Sequence, residues 1–195
     1  DLPSNMQGVS QNEVDYLNID IKMETGTGKT YVYTKAIYEL NKLYGFKKFI
    51  VAVPSLAIKA GTANFMKIQS NINHFKNVCG YKTEIKLRTV ESIKTKKGSK
   101  KYVPSGIRDF VTSSNLQRNT IEVLLVNMQH LKESKNGVLV RDDYDSHIEG
   151  YYRPIDAISA TRPITIIDEP HRFSRENATF KFIEEQVKPQ LIIRF

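Results

Sequence analysis

The chain has 195 residues, 40% of them hydrophobic, and a single cysteine, Cys79. That is enough apolar material for one sizeable core, so a disordered chain and an internal disulfide framework are excluded. No apolar run approaches the roughly 20 residues that cross a bilayer and the N-terminal residues form no secretory signal, which together with the lone thiol points to a cytoplasmic protein, while a formal charge of +8 makes a polyanionic partner reasonable without naming one.

In chain order, apolar strand-like runs alternate with helix-like ones. Ile19–Met23 alternates with period two and reads as a strand. Thr30–Tyr44 reads as a helix, with Val32, Ala36, Leu40 and Leu43 on one stripe, Tyr33 and Ile37 beside it, and Gly45 as its stop. KKFIVAVP (47–54) is a buried-strand run closed by Pro54. Residues 55–69 start as a helix with Ser55 as its N-cap, and Gly61 weakens the pattern midway. Lys82–Val90 alternates like a strand, residues 94–101 are a basic loop, and Ile107–Val111 begins a short helix. IEVLLVNM (121–128) and PITIIDE (163–169) are two more buried strands, separated by a polar excursion over 132–153. Thr179–Val187 reads as a helix and LIIRF (191–195) as a last strand.

This alternation predicts an α/β fold: a mostly parallel sheet with helices on both faces and right-handed crossovers. The whole of 1–195 reads as one domain. It opens without an initiator Met and stops inside an apolar run, so a longer parent chain is expected. In such a sheet the polar loops after the strands share one rim, where ligands bind. METGTGKT, PS, NMQ and DEPH all fall there.

Residues 23–30, METGTGKT, have the chemistry of a phosphate-binding loop. Gly26 and Gly28 let the backbone curl closely around an anion, and the helix beginning near Lys29 points its positive end into the loop. Lys29 adds a full charge for the β- and γ-phosphates, and the Thr30 hydroxyl suits Mg2+. The P-loop pattern G-x-x-x-x-G-K-[ST] asks for glycine where Met23 stands, but the G-x-G-K-T part is intact. Asp168 and Glu169 follow an apolar run, as a metal-binding acid must to reach its ion from a rigid strand end. Asp168 is expected to hold Mg2+ through water, and Glu169 to orient or deprotonate the attacking water. Two adjacent carboxylates repel, which a dication relieves. A solvated acid pair is the bland alternative, outweighed by the GKT loop. His171 is expected to relay hydrogen bonding toward the γ-phosphate side. The histidines and Cys79 show no metal-ligand spacing.

Together, METGTGKTYVYTKAIYELNKLYGFKKFIVAVPSLAIKAGT (23–62), the HF of His74–Phe75, IEVLLVNMQHL and TRPITIIDEPHRF resemble the first motor segment of the restriction (Res) subunit of type III restriction–modification enzymes, with its DExH box written DEPH. The broader class is superfamily 2 helicases. The resemblance implies a RecA-like P-loop NTPase fold, with Thr25, Gly26, Thr27, Gly28, Lys29 and Thr30 binding phosphates and Thr30 and Asp168 serving Mg2+. It implies catalytic roles for Lys29, Asp168, Glu169 and His171, and contact with a DNA backbone by Pro54, Ser55 and, less closely matched, Asn127. It also implies ATP and Mg2+ as cofactors, double-stranded DNA and a modification methyltransferase subunit as partners, a bacterial cytoplasmic setting, and a nuclease domain far downstream. Gln7 and Gln11 are the candidates for reading adenine. The rival readings are an RNA-directed motor of the same superfamily, a nucleotide-dependent interaction module without turnover and, less well supported, a small-molecule P-loop kinase. The lysines at 94, 96, 97, 100 and 101, extended by Arg88 and Arg108, form either a solvated basic loop or a DNA-backbone patch.

Overall fold

A computed structural model of the chain describes residues 17–91, 101–113, 119–134, 137–170 and 178–195. Its strands are β1 (Leu17–Asp20), β2 (Lys48–Val53), β3 (Glu84–Thr89), β4 (Thr120–Asn127), β5 (Ile164–Ile167) and β6 (Leu191–Arg194). Its helices are α1 (Lys29–Tyr44), α2 (Leu56–Lys67), α3 (Gln69–Asn73), α4 (Ser105–Thr112), α5 (Pro154–Ala160) and α6 (Ala178–Phe182). The strands form one wholly parallel sheet in the order β1-β6-β5-β2-β4-β3.

The sheet buries both faces because its central strands are mostly apolar on either side, and the pleat sends alternate residues opposite ways. Phe49, Val51, Val53, Ile121, Val123, Leu125, Ile164 and Ile166 face one core with Tyr33 and Ile37 of α1 and Met66 of α2. Ile50, Ala52, Leu124, Val126 and Ile167 face the other, with Ile107 and Phe110 of α4 and Ile155 and Ile158 of α5.

Several details depart from the sequence expectations. The face of α1 turned to the sheet is Tyr33, Thr34, Ile37, Tyr38 and Asn41, while Leu43 lies two-thirds exposed. The expected leucine stripe is therefore rotated. Polar residues can face inward because they find partners: Asn41 Nδ2 donates to the Phe46 carbonyl at 2.8 Å beyond the left-handed cap at Gly45. α2 continues unbroken through Gly61. Ser55 caps it, its hydroxyl accepting the Ile58 amide at 3.2 Å. The 132–153 excursion is not simply a solvated loop. Leu139, Tyr144 and Ile148 are buried in the core, and the Ile155 amide donates to the Leu139 carbonyl at 2.8 Å.

Lys94, Lys96, Lys97 and Lys100 of the basic run lie outside the described residues. The arginines expected to extend it are otherwise engaged. Arg88 pairs with buried Glu122 at 2.9 Å and with Asp109 at 3.0 Å, so its charge is already neutralised. Arg108 donates to Ser146 at 2.8 Å, and Lys101 pairs with Asp143.

Candidate nucleotide site

Because all six strands run the same way, the loops after β1, β5, β2 and β4 open on one rim. The loop after β1 turns into α1 through two left-handed glycines, Gly26 at φ 84° and Gly28 at φ 86°. Only glycine takes this backbone at no steric cost, and a Cβ built at either position would point into open space. The Thr27 hydroxyl donates to the Glu24 carbonyl at 2.6 Å and closes the loop on itself. Gly28 is the N-cap of α1 and supplies no side-chain cap, and the first turn carries no acid. The opening amides of a 16-residue helix therefore point at the rim with no side-chain cap and no acid of their own turn to satisfy them. Thr25, Gly26, Thr27 and Gly28 are exposed, and Lys29 and Thr30 are half-buried.

Asp168 and Glu169 leave the tip of β5. The strands carrying the loop and the acids are not neighbours: β6 lies between β1 and β5. The loop and the acid tip still flank one junction, because β6 is the single strand between them and its end is tied to both sides. The Ile21 amide donates to the Arg194 carbonyl at 2.8 Å, and the Glu169 amide to the Phe195 carbonyl at 3.0 Å. A cleft of about 470 Å3 at this junction is lined by Asp20, Lys22, Met23, Lys29, Pro170 and Arg194. Within it, the Arg194 guanidinium pairs with Asp20 at 2.8 Å and lies over the Phe180 ring.

Burial pushes the Asp168 carboxyl above the usual carboxylate range and neighbouring Glu169 pushes it further, while the Lys29 ammonium and the Glu169 amide pull it back. Asp168 is 5% exposed, and its Oδ1 has no hydrogen-bond partner among the described residues. A buried, unsatisfied carboxylate oxygen of this kind suits a metal ion or its water, since leaving it bare costs free energy. The donor set of Thr30 and Asp168, all oxygen, suits a hard dication such as Mg2+. Glu169 sits in a left-handed backbone, φ 55°, a strain that sequence alone does not reveal. His171 lies outside the described residues, as do Gln7 and Gln11.

The rim continues past β2 and β4. Pro54 and Ser55 are half-buried at the start of α2. Asn127 is turned inward, 1% exposed, its carboxamide oxygen accepting the Gln129 amide at 2.8 Å. It shapes the turn over Met128–His130 rather than presenting its side chain to the rim. Sequence reasoning treated Tyr33 as ordinary packing and passed over Phe195. Tyr33 is fully buried, its hydroxyl bonds Thr62 at 2.9 Å, and its ring meets Phe195 edge-on at 5.7 Å. The signal available in the sequence was a tyrosine one turn beyond the GKT threonine, on the face that packs against the sheet.

Comparison with known proteins agrees with this geometry. Residues 7–195 match the family model described as type III restriction enzyme, res subunit. The chain is 44% identical over 180 residues to the EcoP15I Res subunit of Escherichia coli and 42% identical over 184 residues to the StyLTI Res subunit of Salmonella typhimurium. It is 45% identical over 180 residues to the EcoPI Res subunit of Escherichia phage P1. These alignments cover 91%, 93% and 91% of this chain and 18% of each relative. A parallel sheet with a glycine phosphate loop after one strand and paired acids after another is the RecA-like P-loop arrangement, and with these matches the chain belongs to the type III restriction enzyme res subunit family.

Proposed function

We propose that this domain binds ATP with Mg2+ and hydrolyses it as the motor of a type III restriction endonuclease acting on double-stranded DNA. The observation that carries the reading is the convergence of the Gly26–Thr30 loop and the Asp168–Glu169 acids on one rim, close enough that Lys29 acts electrostatically on Asp168. The backbone amides of Thr25–Thr30 and the opening turn of α1 would cradle the phosphates, and Lys29 would place its charge on the β and γ groups. Thr30 directly, and Asp168 through water, would hold Mg2+. When bound, that ion would draw negative charge off the phosphate oxygens. Glu169 would orient or deprotonate the water that attacks the γ-phosphate, and His171 would extend the hydrogen-bond relay. Pro54, Ser55 and the turn that Asn127 holds would face the DNA backbone. In the cell the longer bacterial protein would work in the cytoplasm beside a modification methyltransferase subunit. No helix among the described residues is long and apolar enough to cross a membrane.

Isothermal titration of the full-length enzyme with ATP and Mg2+ tests the reading. Wild type should bind, and Lys29→Ala should lose binding. Equal affinity in the two would overturn the assignment of the loop, and duplex-DNA-stimulated turnover separates a motor from a docking module.

A further inference from the structure

We propose that the Tyr33 hydroxyl is a positioning group that couples the phosphate loop to α2, so that nucleotide at Thr30 and DNA at the Pro54–Ser55 end of α2 sense one another. The proposal rests on the nucleotide reading above. Tyr33 is one helical turn beyond Thr30 and wholly buried against the sheet. A phenylalanine would fill the same apolar space, and a buried hydroxyl is costly unless it is hydrogen-bonded. This one meets Thr62 Oγ1 at 2.9 Å, and its residue stands one helical turn beyond Thr30 on α1. Thr62 is itself 2% exposed. The Tyr33–Thr62 bond thus joins α1, which grows out of the loop at Lys29, to α2 where water cannot substitute for it.

α2 is built to carry a displacement. Its N-cap Ser55 stands seven residues before Thr62, about 10 Å along a rigid helix. Lys59, between them, is tethered to the Val90 carbonyl at 2.5 Å, which gives the helix a fixed point. A shift of Thr30 on engaging a metal would pull on Tyr33, and through Thr62 would swing the Ser55 end. The Tyr33 ring also touches Phe195, whose carbonyl holds the Glu169 amide, so the same side chain senses the acid side of the cleft.

The test uses the full-length enzyme carrying Tyr33→Phe, Thr62→Val, both changes, or Thr62→Ser. ATP–Mg2+ affinity, turnover without DNA and turnover with saturating duplex are measured for each. The first two variants should bind ATP within about twofold of wild type and lose about tenfold of the DNA stimulation, the loss of one buried hydrogen bond acting on coupling alone. The double variant should be no worse than either single one, and Thr62→Ser should keep wild-type stimulation. Wild-type stimulation in Tyr33→Phe, loss of ATP binding in it, or losses that multiply in the double variant would each overturn the link. A wild-type enzyme that does not bind ATP fails the nucleotide reading instead, and one that binds ATP but ignores DNA fails the coupling with its motor.

Discussion

The Glu169 amide donates to the Phe195 carbonyl oxygen at 3.0 Å, and Glu169 holds that bond in a left-handed backbone, φ 55°. A side chain other than glycine pays about 1–2 kcal/mol for such a conformation. The bond to the end of β6 keeps the residue there, and its carboxylate stays beside Asp168 despite their repulsion.

Replacing the side chain should separate strain from chemistry. Glu169→Gln should bind ATP as wild type does and lose turnover by about a hundredfold or more in the full-length enzyme, the usual weight of a general base. Glu169→Gly should be as inactive, yet more stable by about 1 kcal/mol, because strain and like-charge repulsion are both removed. Urea unfolding beside single-turnover hydrolysis checks both halves; a glycine variant less stable than wild type would mean that the left-handed backbone is not strained.

Lys48 offers a second test, of the fold rather than the site. Lys48 is 1% exposed and its ammonium donates to the Phe110 carbonyl at 2.5 Å, the Ser113 carbonyl at 2.9 Å and the Ser113 hydroxyl at 2.6 Å, at the C-terminal end of α4. Burial pushes its pKa down from the ordinary 10.5 to about 8, although Glu122 pulls it upward. Lys48→Met should cost about 2 kcal/mol at pH 7 by stripping those carbonyls of their donor. The folded pKa lies below the unfolded one. Between about pH 8 and 10.5 the unfolded chain therefore holds a proton that the folded chain has released, and the Lys48 contribution to stability rises with pH. Unfolding of both proteins at pH 7 and pH 9 should show wild type pulling further ahead at the higher pH; a gap that narrows refutes the sign.

Gly106, the second residue of α4, lets the helix lie directly on β3. A methyl group there would run into the Thr89 carbonyl oxygen. Gly106→Ala gains up to about 1 kcal/mol of helix propensity, but overpacking against rigid backbone costs roughly 1–3 kcal/mol. The net expectation is a lower thermal midpoint. A higher one would show that α4 can move off the strand freely.

Much of the architecture was legible because it is written in contiguous text. β2, β4 and β5 are rich in consecutive apolar residues, as a doubly covered sheet requires, and METGTGKT carries its glycines, cation and hydroxyl within eight residues. What escaped is either short or non-local. PIDAISA forms α5 with Pro154 in its first turn, but seven residues hold too few turns for a periodic signal. The phase of α1 is shifted because Thr34 and Asn41 look polar until the Thr30 and Phe46 carbonyls supply their acceptors. The insertion of β6 between β1 and β5 depends on pairing between residues 17–20 and 191–194, a distance that no local pattern records. The candidate site was named from its residues, whereas the strain at Glu169 and the inward turn of Asn127 are properties of the assembled rim.

β1 contributes four residues to the sheet and, among the described residues, is fastened along one border only, to β6, with Leu17 62% exposed. β5, which carries the acids, is clasped on both sides. The two halves of the cleft are thus mounted on supports of unequal stiffness: the acids on a fixed anvil, the phosphate loop on a springboard at the periphery. A triphosphate spanning them would fasten the springboard to the anvil, so that the act of loading fuel would itself brace the outermost plank of the sheet.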